Sequence, residues 1–189
     1  MKHILFVCTG NTCRSPLAEG MLRQIAEREG LELTVQSAGV SAYDGGPISV
    51  NSFTILKEKK GFDGTITSSA LAEAAVREAD LILTMTQTHK RSVIQMFPDA
   101  ADKTFTLKEY VEDDPRVFSR FEELGRLYAE LQMQQALGQP VAEQLRRRIS
   151  ELESLSPNYD ISDLSGDLCI CIRQRQRRSR NPFTSSFGN

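Results

Sequence analysis

The sequence predicts an α/β fold of three layers, with a central parallel sheet of four strands flanked by helices and a phosphate-binding loop after the first strand. Short apolar runs alternate with segments of helical periodicity, which is typical of a parallel sheet covered on both faces. The first apolar run leads through a glycine-containing turn into the first helical segment. In such sheets, ligands bind at the carboxyl ends of the strands.

The elements are predicted in chain order from these patterns. Pro16 suits a first helical turn and Gly30 a helix end, which bounds the first helix. The predicted strands are His3–Cys8, Leu33–Ser37, Leu81–Met85 and Lys103–Thr106. The predicted helices are Pro16–Glu29, Ile48–Lys59, Leu71–Ala79 and Thr88–Met96.

Residues 117–155 carry apolar side chains at helical spacing on both sides of Gly138-Gln139-Pro140. Such stripes usually face a core. This range therefore predicts a helical hairpin inserted into the domain.

Composition and charge exclude several classes of function. The chain has 189 residues and a net charge of −2, without a basic face in its body, so nucleic acid is not an expected partner. No apolar run is long enough to span a bilayer, and no signal peptide precedes the first strand. We therefore expect a cytoplasmic protein without a membrane partner; the sequence does not define the oligomeric state, and we favour a monomer. His3 and His89 belong to no metal-ligand pattern, so neither a metal nor another cofactor is expected.

The octet Cys8-Thr9-Gly10-Asn11-Thr12-Cys13-Arg14-Ser15 lies between the first strand and the first helix. Backbone N–H groups and the dipole of a helix N-terminus favour an anion there, and the same field favours a thiolate nucleophile. Arg14 can offer a planar guanidinium to a bound oxyanion, and Ser15 can donate to the thiolate. The octet predicts a phosphate-transfer site that works without metal, in which Thr9, Gly10, Asn11, Thr12, Cys13 and Ser15 form the phosphate-binding loop.

The run from Val7 through Pro16, followed by Ala18-Glu19, resembles the opening of the low-molecular-weight protein tyrosine phosphatases. More narrowly, it resembles their bacterial protein-arginine phosphatase branch. Further agreement comes from the segments Ser37–Val40, Ala79–Thr86 and Phe105–Tyr110. The resemblance covers residues 1–163 and implies one phosphatase domain that contains the 117–155 hairpin.

This resemblance implies a phosphatase that hydrolyses phosphorylated protein side chains, preferentially phosphoarginine, through a phosphocysteine intermediate. Cys8 would attack phosphorus, Arg14 would hold the equatorial oxygens, and an aspartate would protonate the leaving group. The alternatives are a protein tyrosine phosphatase, an arsenate reductase of the same fold and an inactive phosphoprotein-binding module. No cysteine lies between Cys13 and Cys169 to serve arsenate reduction.

Two aspartates are candidates for the general acid. Asp114 precedes a proline, but it comes before the predicted hairpin. Asp163 lies where the resemblance implies the acid loop, so we favour Asp163 as the acid over Asp114.

Two further hypotheses concern substrate preference at Thr12 and redox protection by Cys13. The resemblance implies a bulkier aliphatic residue than Thr12 in the tyrosine-specific relatives, so a small polar side chain there favours phosphoarginine. Cys13 lies five residues after Cys8, and a reversible disulfide between them would protect the nucleophile from over-oxidation.

Residues 164–189 depart from the family pattern. They hold five arginines and one aspartate, and no apolar helical period follows Asp163. Codons can be chosen for this tail so that the neighbouring frame reads Pro-Phe-Gly-Gly followed by an amphipathic helix. We hypothesise a single-base frameshift near the codon of Asp163, which would weaken both the acid loop and the fold. The alternative is a divergent, disordered basic tail.

Overall fold

The structure, a computed structural model, describes residues 2–58, 66–112, 114–138, 140, 142–155, 157–162, 168 and 171. The chain divides into two compact units. The first unit comprises Met1–Val111 and Tyr159–Asn189, and the second comprises Glu112–Asn158. The strands are β1 (Lys2–Cys8), β2 (Leu33–Gly39), β3 (Leu81–Thr84) and β4 (Thr104–Thr106). The helices are α1 (Arg14–Glu29), α2 (Val50–Glu58), α3 (Glu73–Glu78), α4 (Gln87–Met96), α5 (Leu107–Val111), α6 (Pro115–Ala136) and α7 (Glu143–Ser154).

The four strands form one parallel sheet in the order β2-β1-β3-β4. The prediction of a parallel four-stranded sheet is therefore confirmed. Strand β1 is central and pairs along its full length with β2, from Lys2 opposite Leu33 to Cys8 opposite Gly39. This register places the candidate nucleophile at the carboxyl edge of the sheet.

Alternate residues of β1 supply the cores on the two faces of the sheet, because successive side chains of a strand point to opposite faces. Ile4, Phe6 and Cys8 join one buried cluster with the apolar face of α1. Leu5 and Val7 join the other cluster, with residues of α3 and α4. The sheet is thus covered on both faces, which gives the three predicted layers.

The sheet strands agree closely with the sequence prediction, and most differences lie at element ends. Helix α1 begins at Arg14, two residues before Pro16, and β2 extends to Gly39. A 3₁₀ helix at Pro98–Lys103 and the five-residue α5 were not predicted. Both are too short to show a helical period in the sequence.

The second unit consists of α6 and α7. Leu124, Leu145, Ile149 and Leu152 form its buried cluster, and Leu127 and Leu131 pack against it. Arg148 Nε contacts Glu123 Oε1 at 2.9 Å, and the hydroxyl of Tyr128 donates to Glu153. Among the helices of the described residues, none is both long and apolar enough to cross a membrane.

Candidate active site

The candidate nucleophile Cys8 is the last residue of β1 and is buried. Its Sγ lies 2.9 Å from the hydroxyl oxygen of Ser15, in the first turn of α1. The first N–H groups of a helix have no intrahelical acceptor and carry the positive end of the dipole. The thiol therefore faces a hydroxyl group at the end of a helix that favours negative charge.

Asn11 holds the turn of the loop. Its φ of 49° is in the left-handed region, the one such value among the described non-glycine residues. Its side-chain amide donates to Ser15 Oγ and to Ser37 Oγ, each at 2.8 Å, and its carbonyl oxygen accepts from Ser69 N at 2.7 Å. One partner four residues along the chain and two partners distant in sequence thus fix one strained residue, which is wholly buried.

Strand β2 supports the loop from below. The backbone N–H groups of Val40 and Ser41 donate to the carbonyls of Cys8 and Thr9, at 3.0 and 2.9 Å. Gly39 lies so close that a Cβ there would come within 2.4 Å of the Thr9 carbonyl oxygen and 2.8 Å of Asn11 N. Only glycine allows this approach of strand and loop.

Arg14 is tied to a segment distant in sequence. Its Nη1 donates to the carbonyl of Ile161 at 3.1 Å, and Ile161 N donates to Met85 O at 2.8 Å. Asp160 accepts from Gln87 N through Oδ1 and from Lys108 Nζ through its carbonyl, both at 2.8 Å. The chain is therefore anchored beside Arg14 two positions before Asp163, which itself lies outside the described residues.

Asp114, the other acid candidate, caps helix α6. Its carboxylate accepts from Arg116 N at 2.9 Å and contacts the Arg116 guanidinium at 2.8 Å. These hydrogen bonds to Arg116 lower the pKa of Asp114 below its usual value. The Asp114 carboxylate is therefore engaged as the cap of α6 and in an ion pair with Arg116.

Thr12 and Cys13 complete the loop before α1. The side chain of Thr12 is exposed, and its Oγ1 lies 3.6 Å from Cys13 Sγ. Ser49 N and Ser52 Oγ hold the carbonyls of Thr12 and Cys13 at 2.7 and 3.0 Å. Cys8 and Cys13 are both free thiols, and the redox pairing stays a prediction.

Glu19 is a site-supporting residue that the sequence did not reveal. It is buried and accepts from Ser37 Oγ at 2.5 Å, and Arg23 contacts its other oxygen at 2.5 Å. Burial raises the pKa of Glu19, and the bond from Ser37 and the charge of Arg23 oppose the rise. A glutamate on an amphipathic helix gives no local sign of burial, so only the pairing with Ser37 on β2 identifies it.

His89 also contacts the loop. Its Nε2 lies 2.8 Å from Thr9 Oγ1, and its Nδ1 lies 2.9 Å from Thr86 Oγ1. Burial lowers the pKa of His89, and the positive charge of Arg14 lowers it further, while Asp160 acts in the opposite direction. Eighty positions separate His89 from Thr9, so no sequence spacing could have paired them.

No group of three or more His, Cys, Asp or Glu side chains could hold a metal ion in the part of the chain that the structure describes. The residues gathered at the carboxyl edge of the sheet are instead a thiol, hydroxyls, an amide and a guanidinium. This set suits a nucleophile and an oxyanion.

The fold and this loop together define a cysteine-dependent phosphatase. Residues 3–119 match the family described as Low molecular weight phosphotyrosine protein phosphatase, and the chain belongs to that family. The resemblance found in the sequence is thereby confirmed.

The chain is similar to named phosphatases of two kinds and to a solved structure. The protein-arginine-phosphatase of Bacillus subtilis (strain 168) is 49% identical over 108 residues, covering 57% of this chain and 71% of the relative. The low molecular weight protein-tyrosine-phosphatase PtpB of Staphylococcus epidermidis (strain ATCC 35984) is 37% identical over 119 residues, covering 62% and 80%. A solved structure of a YwlE arginine phosphatase mutant with a phosphorylated active-site serine is 32% identical, with a TM-score of 0.58, covering 95% of this chain and 99% of that one.

Proposed function

We propose that this chain hydrolyses phosphorylated side chains of proteins, with a preference for phosphoarginine. The observation that carries the proposal is the position of Cys8, whose Sγ lies 2.9 Å from Ser15 Oγ at the N-terminus of α1, next to Arg14. The relatives that share about half of their aligned residues with it are named protein-arginine-phosphatases. Phosphorylated proteins are thus the proposed partners.

In the first step, the Cys8 thiolate attacks phosphorus in line with the leaving group. The loop N–H groups from Thr9 to Arg14 and the Arg14 guanidinium stabilise the equatorial oxygens. Ser15 supports the thiolate, since its hydroxyl lies within hydrogen-bond distance of Sγ. The phosphorus–nitrogen bond breaks, and a proton passes to the departing guanidinium from the general acid.

We assign that acid to Asp163. The Ile161 carbonyl holds Arg14 at 3.1 Å, so the segment that leads to Asp163 is anchored beside the residue that binds phosphate. Asp114 is engaged as the cap of α6. In the second step, the same carboxylate takes a proton from water, which attacks phosphorus and releases phosphate from Cys8.

Replacing the nucleophile tests the chemistry. We expect Cys8→Ser to lower turnover of a generic aryl phosphate by at least about a thousandfold, because the thiolate is the attacking group. Binding of inorganic phosphate should persist, since the loop amides and Arg14 remain. Measurable turnover near the parent rate would remove Cys8 from its assigned role.

Thr12 is the residue proposed to favour phosphoarginine over phosphotyrosine. Its exposed side chain lies on the loop, where a small polar group leaves room for a planar phosphoguanidinium. In Thr12→Ile, we expect the ratio of kcat/KM for phosphoarginine to that for phosphotyrosine to fall by about tenfold or more, a loss of roughly 1.4 kcal/mol in discrimination.

The matched control is Thr88→Val on α4, which also removes a threonine hydroxyl but lies outside the loop. Thr9→Val is unsuitable as a control, because Thr9 contacts His89. An unchanged ratio in Thr12→Ile would contradict the assignment. A parent chain that prefers phosphotyrosine would instead favour the tyrosine phosphatase activity for which PtpB is named.

A further inference from the structure

We propose that His89 is a positioning residue that fixes the hydroxyl of Thr9 at the rim of the phosphate loop, where this hydroxyl accepts a hydrogen bond from the guanidinium of a phosphoarginine substrate. The inference rests on the proposed function for the identity of the substrate. It adds a second side-chain contact to the loop, independent of Thr12.

Thr9 directly follows the nucleophile, and its side chain is exposed. Its backbone is fixed, because its carbonyl accepts from Ser41 N at 2.9 Å beneath the loop. The backbone amides of such a loop converge on a bound oxyanion, so an exposed side chain such as that of Thr9 stands at the rim and not in the anion site. The leaving group of a bound substrate must pass this rim, so Thr9 is placed to contact the leaving group rather than the phosphoryl oxygens.

His89 is held at both edges of its ring. It is 6% exposed and lies in the first turn of α4. Thr86 Oγ1, which accepts from His89 N at 3.2 Å as the cap of α4, also lies 2.9 Å from Nδ1. The opposite nitrogen, Nε2, lies 2.8 Å from Thr9 Oγ1. The imidazole therefore forms a rigid bridge between the start of α4 and the loop.

The protonation state of His89 sets the direction of the Thr9 hydroxyl. Burial and the charge of Arg14 lower the pKa of His89, and Asp160 only partly opposes them. A neutral imidazole has one donor and one acceptor. We assign the donor to Nδ1–H, which bonds Thr86, so Nε2 accepts the Thr9 hydroxyl proton. Both lone pairs of Thr9 Oγ1 then face incoming N–H donors.

This arrangement distinguishes substrates by their leaving groups. A guanidinium presents several N–H donors, whereas the ester oxygen of a phosphotyrosine presents none and inorganic phosphate has no leaving group. We therefore expect the Thr9–His89 pair to contribute to binding of phosphoarginine and to leave binding of the other two ligands nearly unchanged.

A double-mutant cycle in the Cys8→Ala background measures this without turnover, because an alanine at the nucleophile position cannot take up the phosphoryl group. The ligands are a phosphoarginine peptide, the matched phosphotyrosine peptide and inorganic phosphate, titrated calorimetrically. Thr9→Val and His89→Leu should each weaken binding of the phosphoarginine peptide by about tenfold, since each removes one neutral hydrogen-bonding group. The double variant should bind no more weakly than either single variant, because both changes break the same contact.

Two amide variants separate positioning from general stability. The amide of glutamine in His89→Gln reaches the position of Nε2, whereas the shorter asparagine in His89→Asn reaches only that of Nδ1. We expect His89→Gln to bind the phosphoarginine peptide within about threefold of the parent, and His89→Asn to match His89→Leu. His3→Leu, at the other end of β1, is the matched control for loss of an imidazole.

Equal loss of affinity for all three ligands, or additive losses in the cycle, would overturn the inference. So would indistinguishable behaviour of His89→Gln and His89→Asn. Absence of phosphoarginine hydrolysis in the parent chain would refute the proposed function instead. The binding cycle would still decide the role of His89, because it needs no turnover.

Discussion

At the scale of single residues, Asn11 combines a backbone role with a side-chain role. Its positive φ turns the loop, and its amide group holds Ser15, Ser37 and Ser69 in place. Because Ser15 in turn contacts Cys8, the geometry at the Cys8 thiol depends on the Asn11 amide through Ser15.

Two substitutions separate these roles. Asn11→Gly removes the hydrogen bonds but accepts positive φ, whereas Asn11→Ala also strains the backbone. We expect Asn11→Gly to lose about 1–3 kcal/mol of unfolding free energy from the broken bonds and Asn11→Ala to lose about 1 kcal/mol more from the left-handed conformation. Urea unfolding measures both. Equal midpoints for the two variants would contradict the strain assigned to this position.

The candidate-site residues that the sequence indicated are those close to Cys8 along the chain. Asn11, Arg14 and Ser15 were recognisable because their spacing from Cys8 is itself the signal. Glu19 and His89 were not, because their roles arise from contacts with Ser37 and Thr9 that only the folded sheet brings together. In the structure Asp114 caps α6. The sequence alone could not distinguish a helix-capping aspartate from a general acid at this position.

At the scale of elements, the segment 159–162 connects four parts of the first unit. Its hydrogen bonds reach the residue directly after β3 through Met85, α4 through Gln87, α5 through Lys108 and the start of α1 through Arg14. Ile161 is wholly buried in the core cluster on the α1 face of the sheet. The Arg14 guanidinium, proposed to bind phosphate, is thus oriented by backbone that is itself fixed by the sheet.

Asp160 offers a test of this anchoring. Asp160→Asn keeps an oxygen for Gln87 N, whereas Asp160→Ala removes it. We expect Asp160→Ala to lose about 1 kcal/mol more unfolding free energy than Asp160→Asn, in line with the loss of a helix cap, and to have the lower kcat/KM.

The same pair of variants has a second readout at His89. The negative charge of Asp160 raises the pKa of His89 against the effects of burial and Arg14. Both variants should therefore lower the pKa of His89 further, to a similar extent, in a titration followed by NMR. A rise in that pKa would contradict the assigned electrostatics. Equal kcat/KM values for the two variants would contradict the claim that the hydrogen bond from Gln87 N to Asp160 helps to orient Arg14.

Element types were largely predictable, because the strands are apolar runs bounded by turn residues. The ends were less so. Strand β2 continues through Ala38 and Gly39 because they pair with Val7 and Cys8, a tertiary effect that overrides the low strand propensity of glycine. Helix α1 begins at Arg14 because the loop before it is held from β2 and α2, not because of any capping side chain.

At the scale of the whole molecule, the segment after Asp163 is where the sequence departs from the family pattern. Residues 164–189 lie outside the described residues, except Leu168 and Cys171. These two are buried in the core cluster that contains Ile161 and the apolar face of α1. The tail therefore contributes at least two side chains to the core, and the frameshift near Asp163 stays a hypothesis.

The encoding DNA and a stability comparison test that hypothesis. A single inserted base after the codon of Asp163 should restore Pro-Phe-Gly-Gly and an amphipathic helix. We expect the restored chain to unfold at a higher urea concentration, since a helix with an apolar face buries more surface at about 25 cal/mol per Å². Equal midpoints, or DNA that admits no such frame, would refute it.

Gly39 has a consequence for how the protein reaches its native state. The loop fits against β2 at this single residue lacking a Cβ, so the pairing of Cys8 with Gly39 also fixes the shape of the candidate phosphate loop. A slip of one residue in that pairing would bring a side-chain-bearing neighbour under the loop and invert both faces of the strand. Refolded material with native-like circular dichroism but low specific activity would be the signature of such misaligned chains.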